Sequence, residues 1–213
     1  MKKKTSKKYY RRYDFLIVLF FIVFGAIAVS GFVWVLTPKK ILPVYQPAMI
    51  DPKHVDESIQ FVKKYHTIAP FTMTNQNGQT ITEKDYENKV YVADFFFTTC
   101  PSICPIMTKN MFSLQEKLKT KYPEVKLLSY SVTPEIDTIE QLKRYAIENK
   151  VDDKIWNLVT GDKKEIYTLA RKSYLVVQND GNGGPHDMIH TENFVLIDKE
   201  NRIRGYYDGT DIN

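Results

Sequence analysis

Cys100 and Cys104 are the only thiols in a chain of 213 residues, and three residues separate them. They stand in TTCPSICPIM, between an apolar run and an amphipathic one. Two thiolates this close can exchange with a disulfide or bind a soft metal ion. A structural bridge is the plainer alternative, but one closing so short a loop constrains the unfolded chain little. The chain has four histidines, His54, His66, His186 and His190. His54 and His66 lie upstream and read as packed or exposed side chains. His186 and His190 come at the end of a glycine-rich loop, just before a strand pattern, and loops at strand ends often carry function. If His190 faces the cysteine turn, two soft sulfurs and one imidazole converge. That set suits copper better than a structural zinc, which wants four ligands. His186 and Met188 read more simply as loop residues. Asp94, six residues before Cys100 in an apolar strand, reads either as a group tuning the thiols or as a residue on a wetter face.

These residues need elements to hold them. The run 90–97 is rich in Val, Phe and Tyr and predicts a buried strand. Met107, Met111, Leu114 and Leu118 predict one apolar stripe of a helix ending near Lys121, so both methionines read as core rather than copper ligands. The thiols then sit where a strand hands over to a helix N-terminus, whose free N–H groups favour thiolate. Pro105 suits the first helical position. Further on, 125–132 predicts a strand. Thr138–Glu148 predicts a helix with Ile139, Leu142, Tyr145 and Ala146 inward. A short strand follows at 156–159, then a helix from an Asp162/Glu165 capping box to about Lys172. LVVQ at 175–178 reads as another short strand, and 193–197 with 202–207 as a hairpin. Upstream, FTMTNQNGQTIT alternates around Asn77-Gly78, a hairpin signal. A short helix fits 82–88, and helical spacing appears at Val55, Ile59 and Val62. Strands alternating with helices around a cysteine-bearing turn predict an α/β, thioredoxin-like sandwich over 61–213.

The +5 net charge is uneven. Residues 1–14 carry +6, leaving −1 for the rest. The body is near neutral, so the charge is no argument for nucleic acid. Residues 15–36 carry no charge, and 22 residues of helix span about 33 Å, enough to cross a bilayer. The basic tail 1–14 before this span predicts a cytoplasmic N-terminus and a single-pass anchor, with everything beyond on the far side. A cleaved signal peptide is the alternative, but the apolar run is long for one. The Pro-rich segment 37–60 reads as a semi-extended tether.

With Cys100, Cys104 and His190 in view, the chain resembles the Sco/SenC family of membrane-anchored copper chaperones. The resemblance runs from about Pro70 to Gly209. It rests on FTTCPSICP (97–105), SVTPEIDT (131–138), WNLVTGDKKEIYTLAR (156–171), HTENFVLID and GYYDGT. It implies a thioredoxin-like fold with a central mixed sheet and an inserted hairpin. It implies one copper ion, Cu(I) or Cu(II), held by Cys100, Cys104 and His190. It implies delivery of copper to the binuclear copper site of cytochrome c oxidase during assembly, or reduction of that site's cysteines by Cys100 and Cys104. The implied partners are the copper-site subunit of the oxidase and an upstream copper donor. The implied place is the inner membrane, with the domain in the periplasm or an equivalent space. No reaction on an organic substrate is implied. A thiol–disulfide oxidoreductase and a copper or redox sensor are the alternatives. The chain departs from the family in one respect: members usually continue past the DGT segment into a final helix.

Overall fold

Beyond the uncharged span 15–36, the apolar runs around 91–96, 126–131 and 156–160 become neighbouring parallel strands, whose two faces must both be covered. In the computed structural model, residues 6–37, 41–177, 184, 187–189 and 191–211 are described, with side chains from Tyr13 onward. Two compact units result, Met1–Ile41 and Leu42–Asn213. The first is the helix α1 (Ser6–Leu36). Its segment Tyr13–Leu36 is long and apolar enough to cross a membrane.

The second unit is built on β1 (Thr72–Asn75), β2 (Thr80–Thr82), β3 (Tyr91–Phe96), β4 (Lys126–Ser131), β5 (Trp156–Thr160), β6 (Asn193–Ile197) and β7 (Ile203–Asp208). Its helices are α2 (Ile103–Lys121), α3 (Ile139–Glu148) and α4 (Lys163–Thr168). The strands form one mixed sheet in the order β2-β1-β5-β4-β3-β6-β7. β3, β4 and β5 run parallel, with β6 antiparallel to β3 and β1 antiparallel to β5. The hairpin β1–β2 turns through Gly78 at φ 74°, a conformation that glycine adopts without steric cost.

Alternation along β3 sends its side chains to two different layers. Phe95 stacks on Tyr130, and both meet Tyr174. On that face the Tyr174 hydroxyl lies 3.1 Å from that of Tyr130 and 3.4 Å from that of Tyr91, so these buried phenols satisfy one another. Phe96 points the other way and packs on Tyr145 of α3. The Tyr145 hydroxyl meets Thr108 of α2 at 2.7 Å, joining the two helices. The buried face of α2 is Cys104, Met107, Thr108, Met111, Gln115 and Leu118. Leu114 lies one step off that stripe and is half-buried.

Several expectations need correction. The helical spacing at Val55, Ile59 and Val62 gives no α-helix; turns follow a short 3-10 segment, Pro52–His54. The Asp56 carboxylate accepts the amide and hydroxyl of Ser58 at 2.9 and 2.5 Å, a local bond that competes with a helix. The strand expected at 175–178 is absent over its described residues, 175–177. Leu175 takes φ 56°, and the Val176 amide turns back to donate to Ala170 O at 3.1 Å. Ile139, expected inward, is exposed, leaving Leu142 and Ala146 as the buried residues of α3. The capping box before α4 is half formed. Asp162 accepts the Glu165 amide at 2.8 Å, but the Glu165 carboxylate accepts the Thr72 amide at 3.0 Å. Residues 169–173 continue as a π-helix rather than an α-helix. The Pro-rich segment is docked over much of its length. The Tyr45 amide donates to Ile203 O at 2.9 Å, Tyr45 packs edge-on against Tyr206, and Arg204 donates to Pro43 O at 2.8 Å. The compact unit therefore starts at Leu42 rather than at 61.

Candidate dithiol site

Both cysteines are free and buried, at 6% exposure for Cys100 and 3% for Cys104. Cys100 closes the turn after β3, its amide donating to Phe97 O at 3.3 Å. Cys104 lies in the first turn of α2, since the helix starts at Ile103. Pro105 is thus the third helical residue rather than the first, where its missing N–H still costs no intrahelical bond. Ser102 stands at the N-cap but makes no capping bond with its side chain. Its hydroxyl instead lies 3.8 Å from the Cys100 sulfur. No acidic residue occupies the first turn, so the sulfur takes the place of a capping anion.

The two thiols are driven apart. Burial pushes the Cys100 thiol up, but hydrogen bonds from the Cys104 thiol, the amides of Ser102 and Cys104 and the Ser102 hydroxyl outweigh it. Cys100 therefore ionises below the ordinary thiol range. Cys104 is pushed up to about 12, first by burial and then because its proton is donated to Cys100. Cys100 therefore gives up its proton before Cys104 does, and the two titrate as a coupled pair.

Asp94 lies on the same sheet face. It is 3% exposed, and burial raises its carboxyl to about 7 against the pull of the Ser129 hydroxyl. Ser129 donates to Asp94, its register partner on β4, and accepts the Trp156 indole N–H at 2.8 Å. Charge on Asp94 adds to what holds the Cys104 proton in place. The wetter-face reading of Asp94 is therefore excluded.

His186 and His190 lie outside the described residues. Among the described residues no three His, Cys, Asp or Glu side chains cluster closely enough to hold a metal ion. The neighbours of the histidine segment are placed. Arg171 pairs with Asp187 at 2.8 Å, both nearly buried, and the Tyr167 hydroxyl reaches Asp187 O at 3.0 Å. Thr191 and Asn193 line a cavity of about 280 Å³ together with Ile103, between the cysteines, and His54. His66 is a packing residue, its Nε2 2.8 Å from Ser173 O. Met107 and Met111 are fully buried in the core, as their stripe predicts.

Three residues of this region carried no sequence signal strong enough to find them. Ser102 looks like a helix cap, Ser129 sits in an apolar strand, and Asp137 directly precedes the N-cap Thr138 of α3. The pairing of β3 with β4 sets Ser129 opposite Asp94, and the amide and hydroxyl of Thr98 bring Asp137 to the cysteine turn.

A cysteine pair opening a helix after a central parallel strand, in a mixed sheet flanked by helices, defines a thioredoxin-like thiol protein. Residues 60–213 match the SCO1/SenC family model, and the chain belongs to that family. It is 34% identical over 147 residues to the SCO1 protein homolog of Bacillus subtilis (strain 168), covering 68% of this chain and 76% of that one. Among solved structures it is similar to BsSco, described as a member of the Sco family of cytochrome c oxidase assembly proteins with a disulfide switch. That match has a TM-score of 0.60 at 34% identity and covers 68% and 85% of the two chains. It is also similar to Bradyrhizobium japonicum ScoI with copper bound, at a TM-score of 0.56 and 26% identity over 69% and 92%.

Proposed function

We propose that this chain carries one copper ion on Cys100, Cys104 and His190 and passes it to the binuclear copper site of cytochrome c oxidase during assembly. The observation that carries the reading is the pair of buried, unbridged thiols where β3 hands over to α2, in a family with a copper-bound member. Thiolates select Cu(I), and metal binding releases the proton that Cys104 holds. The cavity shared by Ile103 and Thr191 places the residue after His190 beside the cysteine turn, which supports the imidazole as third ligand. Transfer proceeds by ligand exchange, acceptor thiolates replacing these donors one at a time. An upstream carrier supplies the ion. The anchor α1 keeps its basic tail in the cytoplasm and the domain on the outer side of the inner membrane.

A second reading uses the same sulfurs. Cys100 attacks an acceptor disulfide, Cys104 then displaces the mixed disulfide, and two electrons and two protons pass to the acceptor's cysteines. The split of the two thiols favours this order of attack. The readings part at His190. His190→Ala weakens Cu(I) by roughly 10–100-fold, the scale on which metal-site partners act, and leaves thiol exchange within about twofold. Chelator competition and disulfide exchange on the detergent-solubilised chain check this. Unchanged affinity for both copper states removes the third ligand from the site.

A further inference from the structure

We propose that Asp137 is the positioning residue of the cysteine turn, holding Thr98 in place so that the Cys100 sulfur stays beside the Ser102 hydroxyl at the start of α2. Asp137 has 0% exposure. None of the ion pairs among the described residues involves it. A buried carboxylate without a cation persists only where hydrogen bonds replace its hydration. Here they come from two directions. From the cysteine side, Thr98 gives its amide at 3.2 Å and its hydroxyl at 2.5 Å. From the end of β4, Ser131 gives its hydroxyl at 2.6 Å and Thr133 its hydroxyl at 3.2 Å. Gln141 of α3 then donates to the Thr98 hydroxyl at 3.0 Å, fixing its orientation.

The arrangement matters because the register of β3 with β4 ends at Phe96–Ser131. Beyond it the backbone bonds Val132 N to Phe96 O at 2.9 Å and Cys100 N to Phe97 O at 3.3 Å hold the turn. Asp137 supplies the side-chain anchor at Thr98, which stands two residues before Cys100. The inference rests on the dithiol of the proposed site and not on copper.

The test equilibrates the full chain in detergent with reduced and oxidised dithiothreitol. The two thiols lose two electrons and two protons as their S–S bond forms, and the oxidised dithiothreitol takes them up. In Asp137→Asn one oxygen becomes a donor facing donors, so the turn loosens and the reduced Cys100 sulfur loses its place beside the Ser102 hydroxyl. The equilibrium moves roughly tenfold toward the disulfide, about 30 mV more negative. Thr98→Val, which keeps the amide but loses the hydroxyl, moves it the same way and serves if Asp137→Asn does not fold. Ser131→Ala removes a donor on the far side and lowers the Tm while leaving the equilibrium within about twofold of the parent. A lower Tm with an unchanged equilibrium in both Asp137→Asn and Thr98→Val overturns the proposal, as does an equal shift in all three variants. Cu(I) competition on the same proteins gives a second reading of the turn. A parent that binds no copper sinks the preceding proposal and leaves the dithiothreitol comparison intact.

Discussion

Serine in place of either Cys100 or Cys104 lowers Cu(I) affinity by on the order of a thousandfold, about 4 kcal/mol. The loss follows from donor chemistry, because a hydroxyl is a hard, neutral ligand where a soft thiolate stood. The two variants differ in what remains. Cys104→Ser leaves Cys100 without the thiol donor that helps hold it below the ordinary range, so its thiolate forms at higher pH. Cys100→Ser leaves a buried thiol freed of the two causes that Cys100 supplies, its hydrogen bond and its charge, but still dominated by burial. Chelator competition under anaerobic conditions gives the affinity, and thiolate ultraviolet absorbance against pH gives the asymmetry. A serine variant that holds copper as tightly as the parent contradicts the site.

Stability of the parent falls as pH rises from about 4 to about 7 through the contribution of Asp94. Its carboxyl ionises at 3.8 in the ordinary state and at about 7 in the fold. Between these values the folded chain holds a proton that the unfolded chain has released, so raising the pH favours unfolding. The loss saturates above the folded value at on the order of 4 kcal/mol. Asp94→Asn keeps an acceptor for the Ser129 hydroxyl and has no charge to bury, so it gains on the parent across this window. Asp56, held low by the Ser58 hydroxyl and the Lys172 ammonium, works in the opposite sense, losing stability as pH falls. The difference between parent and variant cancels such groups. Urea unfolding of both proteins from pH 4 to 8 measures it, and a difference that does not change with pH rules out a neutral Asp94 in the fold.

Much of this architecture is legible in the sequence. The strand before the cysteines, the α2 stripe, the Asn77-Gly78 hairpin and the β6–β7 pair follow from periodicity and turn chemistry, which are local. The misses are places where a local rule met a non-local or competing partner. Leu175 and the two valines after it look extended because they are apolar, yet their burial comes from a chain reversal onto a π-helix. The prolines of 37–60 look like a spacer, yet Tyr45 finds β7. At the site, the cysteines announced themselves by spacing. Asp94 is ambiguous because one carboxylate in an apolar strand fits two environments, and only the next two strands, β4 and β5, supply Ser129 and Trp156. Asp137 was hidden because an aspartate beside a helix start already has an ordinary explanation.

The contact between the Trp156 indole and Ser129 gives the molecule a built-in optical gauge. Ionisation of Asp94, the direct acceptor of that serine hydroxyl, alters the field across the excited indole, so the emission follows the state of that acid. The chain has one other tryptophan, Trp34. With Trp34 replaced by phenylalanine, fluorescence then follows events under the cysteine turn without a dye, a label or a chemical modification of either thiol.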